Sequence, residues 1–281
     1  MADKIDVRQT MGVCGVKILL TNDDGIISQG IQMMSKLLAD RGWLAAAVAP
    51  DRERSGMGHA ITVGIPVRAR SLDPGVYPSG VPAYACDGTP TDCVTIGLGI
   101  LCPQADFVVS GINLGPNLAN DVTYSGTVSA AMEGVILGCP SVAISLCFNR
   151  GDAFVHNMTA AITAMAVLDY VKKDPLPPDT LLNINVPNVL LKDIKGFKMT
   201  GRGKREYVDK FTTIKDPHGK DCYWIAGNTV DEHAEGSDVT AVRDGFVSVT
   251  PIHIDMTDYR MLERLRASDL EKNLAKAIKA R

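Results

Sequence analysis

The chain has 281 residues, of which 46% are hydrophobic and 22% are charged. These values are close to the averages for globular proteins and exclude a disordered or collagen-like chain. At about 150 residues per domain, the length predicts two domains or one large domain with an appendage. The net charge of −3, from 29 basic and 32 acidic residues, argues against binding to duplex nucleic acid or to an anionic membrane.

Seven cysteines are scattered along the chain, and no CxxC pair occurs. Their odd number and mostly apolar surroundings favour buried free thiols over disulfides or a zinc site. The sequence contains no run of about 18 apolar residues, which is the length that a membrane-spanning helix needs. The polar residues 1–15 do not have the pattern of a secretory signal. We therefore expect a cytoplasmic protein with a loose leader over residues 1–15.

The first predicted elements form a strand–helix–strand unit. Residues 16–21 are a short apolar run that is typical of a buried strand. The helix that follows has its apolar residues three and four positions apart, at Ile31, Met33, Met34, Leu37 and Leu38. Gly42 ends this helix, and residues 44–49 form a second strand. This spacing predicts a βαβ unit with two parallel strands.

The same alternation continues to residue 187. Thr89, Pro90 and Asp92 form the sequence pattern of a helix start, with a capping threonine and an acid three residues later. Further strands are predicted at 107–110, 142–146 and 181–186, and further helices at 127–137 and 152–171. The inward face of the last helix is predicted to hold Phe154, Met158, Ile162, Met165 and either Val167 or Leu168. Residues 16–187 therefore predict a Rossmann-like, doubly wound α/β core with a mainly parallel sheet.

Residues 188–281 predict a β-rich appendage that ends in a helix. Strands are expected at 195–200, 223–225 and 246–254, and a capping box over residues 268–271 starts an amphipathic helix with Leu270, Leu274 and Ile278 on one side. This helix packs either on a neighbouring chain or locally. Residues 195–220 contain eight basic and three acidic residues, which favours a solvated hairpin. The alternative is a basic rim that attracts phosphorylated substrates.

Polar residues follow the predicted parallel strands at the edge where such sheets bind ligands. Asp23 and Asp24 come directly after the first strand, and two adjacent carboxylates repel each other unless a cation or a proton lies between them. Ser55 and Asn113 follow neighbouring strands and add only oxygen atoms, which favours Mg²⁺ or Mn²⁺ over Zn²⁺. The alternative is that one aspartate caps the next helix and the other faces solvent.

Residues 125–127 open a predicted helix with the sequence Ser-Gly-Thr. The backbone N–H groups and hydroxyls of such a turn can hold a phosphate, although an ordinary N-cap explains the same residues. The chain contains no GxGxxG after the first strand, no GxxxxGK[ST] and no GxSxG. These absences argue against dinucleotide, P-loop and α/β-hydrolase chemistry.

The sequence blocks that carry these residues resemble a known family. They are KILLTNDDGI at 17–26, APDRERSG at 49–56, DGTPTDCV at 87–94 and SGINLGPNLANDVTYSGTVSAAMEG at 110–134. Together they resemble the SurE (survival protein E) family of metal-dependent 5′/3′-nucleotidases, over nearly the whole chain beyond the leader. The resemblance implies metal ligands at Asp23, Asp24, Ser55 and Asn113. It implies a phosphate pocket at Gly56, Asn117, Ser125, Gly126 and Thr127.

The resemblance also implies an activity and an assembly. One Mg²⁺ or Mn²⁺ per subunit would activate a water that Asp23 or Asp24 orients, so that nucleoside 5′- and 3′-monophosphates are hydrolysed, with side activity on polyphosphates. A β-hairpin at 201–220 would reach out from the core, and a C-terminal arm at 258–281 would be exchanged in a homodimer, with a tetramer as the alternative. The alternatives are a non-enzymatic, metal-dependent nucleotide sensor and a phosphatase of sugar phosphates. His59 is either the proton donor to the leaving group or a structural hydrogen-bonder, and Tyr124 either stacks on a base or packs.

Overall fold

The computed structural model describes residues 15–149, 151–208, 211–225 and 227–279. Residues 1–14 of the expected leader, Cys14 among them, lie outside these ranges. In the described residues five cysteines are buried free thiols, and Cys222 is exposed. No helix in these ranges combines the length and the apolar character needed to cross a membrane.

The predicted strand–helix–strand unit at the start of the chain is confirmed. Its elements and the two short strands that follow are β1 (Ile18–Thr21), α1 (Gln29–Asp40), β2 (Leu44–Pro50), β3 (Ala69–Ser71) and β4 (Ala83–Cys86). β1 and β2 are parallel, and α1 buries Ile31, Met34 and Leu38. β3 and β4 were not predicted, because each has only three or four residues and lacks a long alternating pattern.

The predicted capping box at the next helix is also confirmed. The backbone N–H of Asp92 donates to Thr89 Oγ1 at 3.1 Å, and the N–H of Thr89 donates to Asp92 Oδ2 at 2.8 Å. This box starts α2 (Pro90–Ile96), which is followed by β5 (Phe107–Leu114), α3 (Gly126–Ile136) and β6 (Ser141–Cys147).

The next helix, α4 (Asn157–Lys173), precedes β7 (Thr180–Pro187) and corrects part of the prediction. It begins at Asn157 rather than at residue 152. Phe154 lies before it with 73% of its surface exposed, and Met158 and Ile162 are also exposed. The face against the sheet is built largely from alanines, which permit close approach, together with the correctly predicted larger residues: Ala160, Ala161, Ala164, Met165, Val167 and Leu168.

The C-terminal part of the chain adds two strands to the sheet and a separate hairpin. Its elements are β8 (Phe197–Met199), β9 (Arg205–Val208), β10 (Phe211–Lys215), β11 (Asp221–Ile225), β12 (Asn228–Asp231), α5 (Asp238–Arg243), β13 (Val247–His253), α6 (Tyr259–Arg266) and α7 (Leu270–Lys279). β9 pairs with β12 and β10 with β11, both antiparallel. The hairpin thus extends over residues 205–231, beyond the expected 201–220, and the terminal helical segment is two helices.

The main sheet has nine strands in the order β3-β4-β2-β1-β5-β6-β7-β13-β8. Its pairs are parallel except β3 with β4 and β13 with β7. Successive β1 residues pack into different clusters, Leu20 with α1 and α4 residues and Leu19 with α2 and α3 residues, so helices cover both faces. The predicted doubly wound α/β fold is confirmed. The sheet continues past residue 187, because β13 and β8 join it.

Candidate functional site

The predicted site residues lie where the strand order reverses. β1 has β2 on one side and β5 on the other, and this is the edge at which open α/β sheets bind ligands. The backbone N–H of Arg54 donates to the carbonyl of Asp23 at 2.8 Å, and the N–H of Leu114 donates to Asp24 Oδ2 at 2.9 Å. The segments that carry Ser55 and Asn113 are therefore hydrogen-bonded directly to the pair of aspartates.

Asp23 is held against the N-terminus of α3. Its side chain is buried, with 3% of the residue exposed, and its Oδ1 accepts a hydrogen bond from Thr127 Oγ1. A Cβ on Gly126 would lie 2.8 Å from Asp23 Cβ and 2.9 Å from Asp23 Oδ2. Only glycine fits at this position without displacing the carboxylate. The positive end of the helix dipole favours negative charge on Asp23.

The two aspartates are desolvated and lack a cationic partner. Burial raises the pKa of Asp23, against the opposing hydrogen bond from Thr127. Burial and then the charge of Asp23 raise the pKa of Asp24 to about 6. Across the described ranges, no lysine or arginine forms an ion pair with either carboxylate. Ser28 is the N-cap residue of α1, so neither aspartate caps that helix.

The other donors at this edge are neutral oxygens. Ser55 Oγ donates to Glu53 Oε1 at 2.8 Å. The amide nitrogen of Asn113 donates to the carbonyl of Gly115 at 2.9 Å, which leaves the amide oxygen as a ligand atom. No group of three or more His, Cys, Asp or Glu that could hold a metal occurs in the described part of the chain. Two carboxylates with neutral oxygens are a donor set that fits Mg²⁺ or a similar hard cation.

The start of α3 combines capping with free donors. Ser125 is its N-cap residue, since the N–H of Val128 donates to Ser125 Oγ at 3.1 Å. The N-cap interpretation of Ser125 is therefore correct. The hydroxyl of Thr127 is used by Asp23. The first N–H groups of a helix have no partner within the helix. The N–H of Thr127 bonds to Asp23 and opposes the rise in its pKa, so the N–H of Gly126 is the donor of this turn that a phosphate could take.

Asn117 anchors the loop between β5 and α3. Its amide nitrogen donates to Ser145 Oγ at 2.8 Å, and its backbone N–H donates to Asn185 Oδ1 at 2.9 Å. Its carbonyl accepts from the amides of Asn183 and Asn185 at 2.9 and 3.0 Å. All four residues are buried. The side chain of Asn117 thus fixes the loop through Ser145, and its place in the phosphate pocket stays a prediction.

The loop after β2 reaches from the aspartates to α3. Gly56 has a φ of +72°, a conformation that favours glycine. The N–H of Gly58 donates to the carbonyl of Tyr124 at 2.9 Å. His59 Nε2 lies 3.0 Å from Glu133 Oε2 on α3. Glu133 is seven residues beyond Gly126, roughly 10 Å along the helix. This contact holds the ring of His59 against α3, and its role as a proton donor stays a prediction.

Two features of the site were missed at the level of sequence. Glu53 contributes negative charge that raises the pKa of both Asp23 and Asp24, and its place two residues before Ser55 was a usable signal. The contact of Arg205 with Asp121 joins residues 84 positions apart. No local sequence pattern predicts such a contact, because it depends on how the hairpin packs on the core.

Comparisons with known proteins agree on one family. The family profile described as Survival protein SurE matches residues 18–209. A 5′-nucleotidase SurE of Geobacter metallireducens is 44% identical over 257 residues, which cover 90% of this chain and 98% of that protein. A 5′-nucleotidase SurE of Xanthomonas oryzae pv. oryzae is 45% identical over 251 residues, covering 88% of this chain and 93% of that protein.

A solved structure shares the fold as well as the sequence. The crystal structure of the SurE protein from Aquifex aeolicus superimposes with a TM-score of 0.75 at 40% identity, covering 89% of this chain and 98% of that one. The predicted family is confirmed by a profile match over most of the core and by relatives that align almost end to end. The chain belongs to the SurE family.

Proposed function

We propose that this protein is a metal-dependent 5′-nucleotidase that hydrolyses nucleoside monophosphates to a nucleoside and phosphate. The observation that carries this proposal is the pair of desolvated carboxylates, Asp23 and Asp24, set against the N-terminus of α3 without a cationic side chain. A cation site beside free helix N–H groups is suited to a phosphate ester. The relatives' name, 5′-nucleotidase SurE, supports the same activity.

The residues present fit one divalent cation. Asp23, Asp24, Ser55 and Asn113 would hold Mg²⁺ or Mn²⁺ through oxygen atoms alone. When bound, the cation would polarise a phosphoryl oxygen and lower the pKa of a water molecule.

The protein's own groups position the reactants. Thr127 holds one oxygen of Asp23, and Leu114 holds one oxygen of Asp24. The remaining carboxylate oxygens would orient the attacking water and accept its proton, which passes to the nucleoside oxygen as its bond to phosphorus breaks. The N–H of Gly126, with that of Thr127 shared with Asp23, would bind equatorial phosphoryl oxygens, where charge redistributes in the transition state.

The range of substrates is a finer part of the proposal. Since the donors named above contact only the phosphoryl group, we expect 3′-monophosphates and short polyphosphates to be hydrolysed as well. Tyr124 is 64% exposed and directly precedes the capping Ser125. Its ring can stack on a nucleobase and favour nucleotides over sugar phosphates.

The test is phosphate release from 5′- and 3′-nucleotides, tripolyphosphate and glucose 6-phosphate, each with Mg²⁺, Mn²⁺ or EDTA. We expect Asp23→Asn to lose activity by roughly a thousandfold or more, because it removes charge where the cation would bind. Asp40→Asn is the matched control, since Asp40 is exposed at the opposite end of α1. Full metal-dependent turnover in Asp23→Asn would refute the proposal. Nucleotide binding without release under any condition would favour a sensor.

We also propose that the protein is a homodimer assembled through its C-terminal arm, with a tetramer as a higher assembly. The helices α6 and α7 contain no buried residue. Leu270, Leu274 and Ile278 are exposed at spacings of four residues along one side of α7. A second copy that covers this apolar side would make the unfolding of the chain depend on protein concentration.

A further inference from the structure

The base of the hairpin bonds to the core through the side chain of Arg205, together with the Tyr207 hydroxyl and the Arg205 carbonyl, which accepts from the Asn120 amide at 3.3 Å. The side chain of Arg205 on β9 is only 8% exposed. Its Nε and Nη2 donate to the two carboxylate oxygens of Asp231, on the paired strand β12, at 2.6 and 2.9 Å. Its Nη1 donates to Asp121 Oδ2 at 2.7 Å. One guanidinium therefore joins both strands of the hairpin base to the loop that precedes α3.

Asp121 connects this guanidinium to the start of α3. Its second carboxylate oxygen accepts a hydrogen bond from the Tyr207 hydroxyl at 2.6 Å. Its backbone carbonyl accepts from the N–H groups of Tyr124 and Ser125 at 2.9 and 3.1 Å. Ser125 is the N-cap residue of α3. The side chain of Asp121 is thus bonded to the hairpin while its backbone holds the first residue of the phosphate pocket.

The rest of the hairpin has little contact with the core. Every residue of β10 and β11 is exposed, and the ion pair of Lys215 with Asp221 lies within the hairpin itself. In the described ranges, the bond of Arg205 to Asp121 is the one ion pair between residues 205–231 and the remaining chain. Buried guanidinium–carboxylate bonds have a narrowly defined geometry, so this contact fixes the relative position of the two parts.

We propose that Arg205 is a positioning residue for the phosphate pocket. Through Asp121 it sets the position of Ser125 and hence of the N–H groups that open α3. Arg205 touches neither the substrate nor the reacting atoms. This inference rests on the proposed role of residues 125–127 in binding the phosphoryl group. If Arg205 has this role, the position of the hairpin on the core affects the affinity of the pocket for phosphate.

The first test compares Arg205→Met, Arg205→Lys and Lys215→Met in the full chain. Arg205→Met is expected to lower kcat/KM for AMP by roughly ten- to a hundredfold, because small displacements of binding groups have effects of this size. Arg205→Lys retains the charge but not the paired geometry and is expected to restore part of the loss. Lys215→Met removes an exposed ion pair of the same hairpin and is expected to leave kcat/KM unchanged.

A second measurement separates positioning from stability. Arg205→Met leaves the half-buried carboxylates of Asp121 and Asp231 without their cation, so part of the protein is expected to unfold. Partial unfolding lowers the apparent kcat and leaves KM unchanged, whereas a displaced pocket raises KM and the Kd for inorganic phosphate. Tyr207→Phe removes one hydrogen bond to Asp121 and keeps the ion pairs. Tyr207→Phe is therefore expected to raise KM and the Kd for inorganic phosphate by about two- to fivefold. This change has the same sign as that expected for Arg205→Met but is smaller.

The outcomes distinguish this inference from the proposed activity. Unchanged KM and phosphate Kd in both Arg205→Met and Tyr207→Phe, measured where the folded fraction is known from circular dichroism, would overturn the positioning role. If the wild type released no phosphate from any nucleotide but Arg205→Met still weakened the binding of inorganic phosphate, the proposed activity would fail and the positioning role would stand.

Discussion

The sheet edge that carries the two aspartates and the C-terminal region differ in how deeply their side chains are buried. At the sheet edge, Asp23, Asn117 and Thr127 are buried and bonded to other residues of the same chain. In the C-terminal region, β10 and β11 are fully exposed, and α6 and α7 bury no residue. The scaffold around the aspartates is thus bonded within the chain, while the C-terminal region keeps an exposed apolar surface.

Among substitutions that change packing rather than charge, the largest effect on activity is expected where the sheet edge is most tightly packed. Gly126→Ala would place a Cβ 2.8 Å from Asp23 Cβ. Because the start of α3 and Asp23 cannot both keep their positions, we expect kcat/KM for AMP to fall by roughly a hundredfold. Steady-state kinetics on the folded variant measures this.

A glycine in open space provides the control for this substitution. No atom lies within 4 Å of the position that a Cβ on Gly99 would take. We expect Gly99→Ala to keep the kinetic constants of the wild type. Similar activity in Gly126→Ala and Gly99→Ala would show that the close approach of α3 to Asp23 has no part in the reaction.

Two leucine substitutions compare how much the core and the C-terminal region contribute to the free energy of unfolding. Leu38 on α1 is fully buried, and Leu274 on α7 is 55% exposed. Leu38→Ala is expected to lower the free energy of unfolding by about 2–5 kcal/mol, because it leaves a cavity. Leu274→Ala is expected to change it by less than about 0.5 kcal/mol at high dilution. Urea unfolding followed by circular dichroism measures both.

The dependence of unfolding on protein concentration tests whether a second copy covers α7. In a dimer, the effect of Leu274→Ala on unfolding is expected to grow as the concentration rises, because the arm is then buried in the assembly. The effect of Leu38→Ala within the core is expected to change little over the same range. A Leu274→Ala effect that stayed the same at every concentration would contradict assembly through this face of α7.

Much of the core could be predicted because its signals are local. The capping box at Thr89 and Asp92 and the helix periodicity of α1 each depend on residues a few positions apart. The face of α4 was partly mispredicted, because large apolar residues were assigned inward while the helix packs closely through its alanines. The strands β9, β10 and β12 were missed, since their residues other than Arg205 and Asp231 are exposed and they carry no alternating pattern.

The site could be located from sequence, but its internal bonds could not. Asp23 and Asp24 were placed by the rule that ligands bind at the carboxyl ends of parallel strands. The bond of Thr127 to Asp23 joins residues 104 positions apart, and the orientation of Asn117 depends on asparagines of β7. Such contacts follow from how loops meet across the sheet. One sequence does not encode them in any local pattern.

A smaller effect on activity is expected when the caps of two helices, one in each region, are removed. Ser125 caps α3 beside the aspartates, and Asp258 caps the exposed α6 through a bond from the N–H of Met261 at 2.9 Å. Ser125→Ala is expected to cost about 1 kcal/mol of stability and to lower kcat/KM severalfold, because the donors of the first turn lose their fixed position. Asp258→Ala is expected to loosen α6 without changing kcat/KM. Because both substitutions remove a side-chain cap, equal losses of activity would mean that the caps act through general stability rather than through the geometry of the α3 N-terminus.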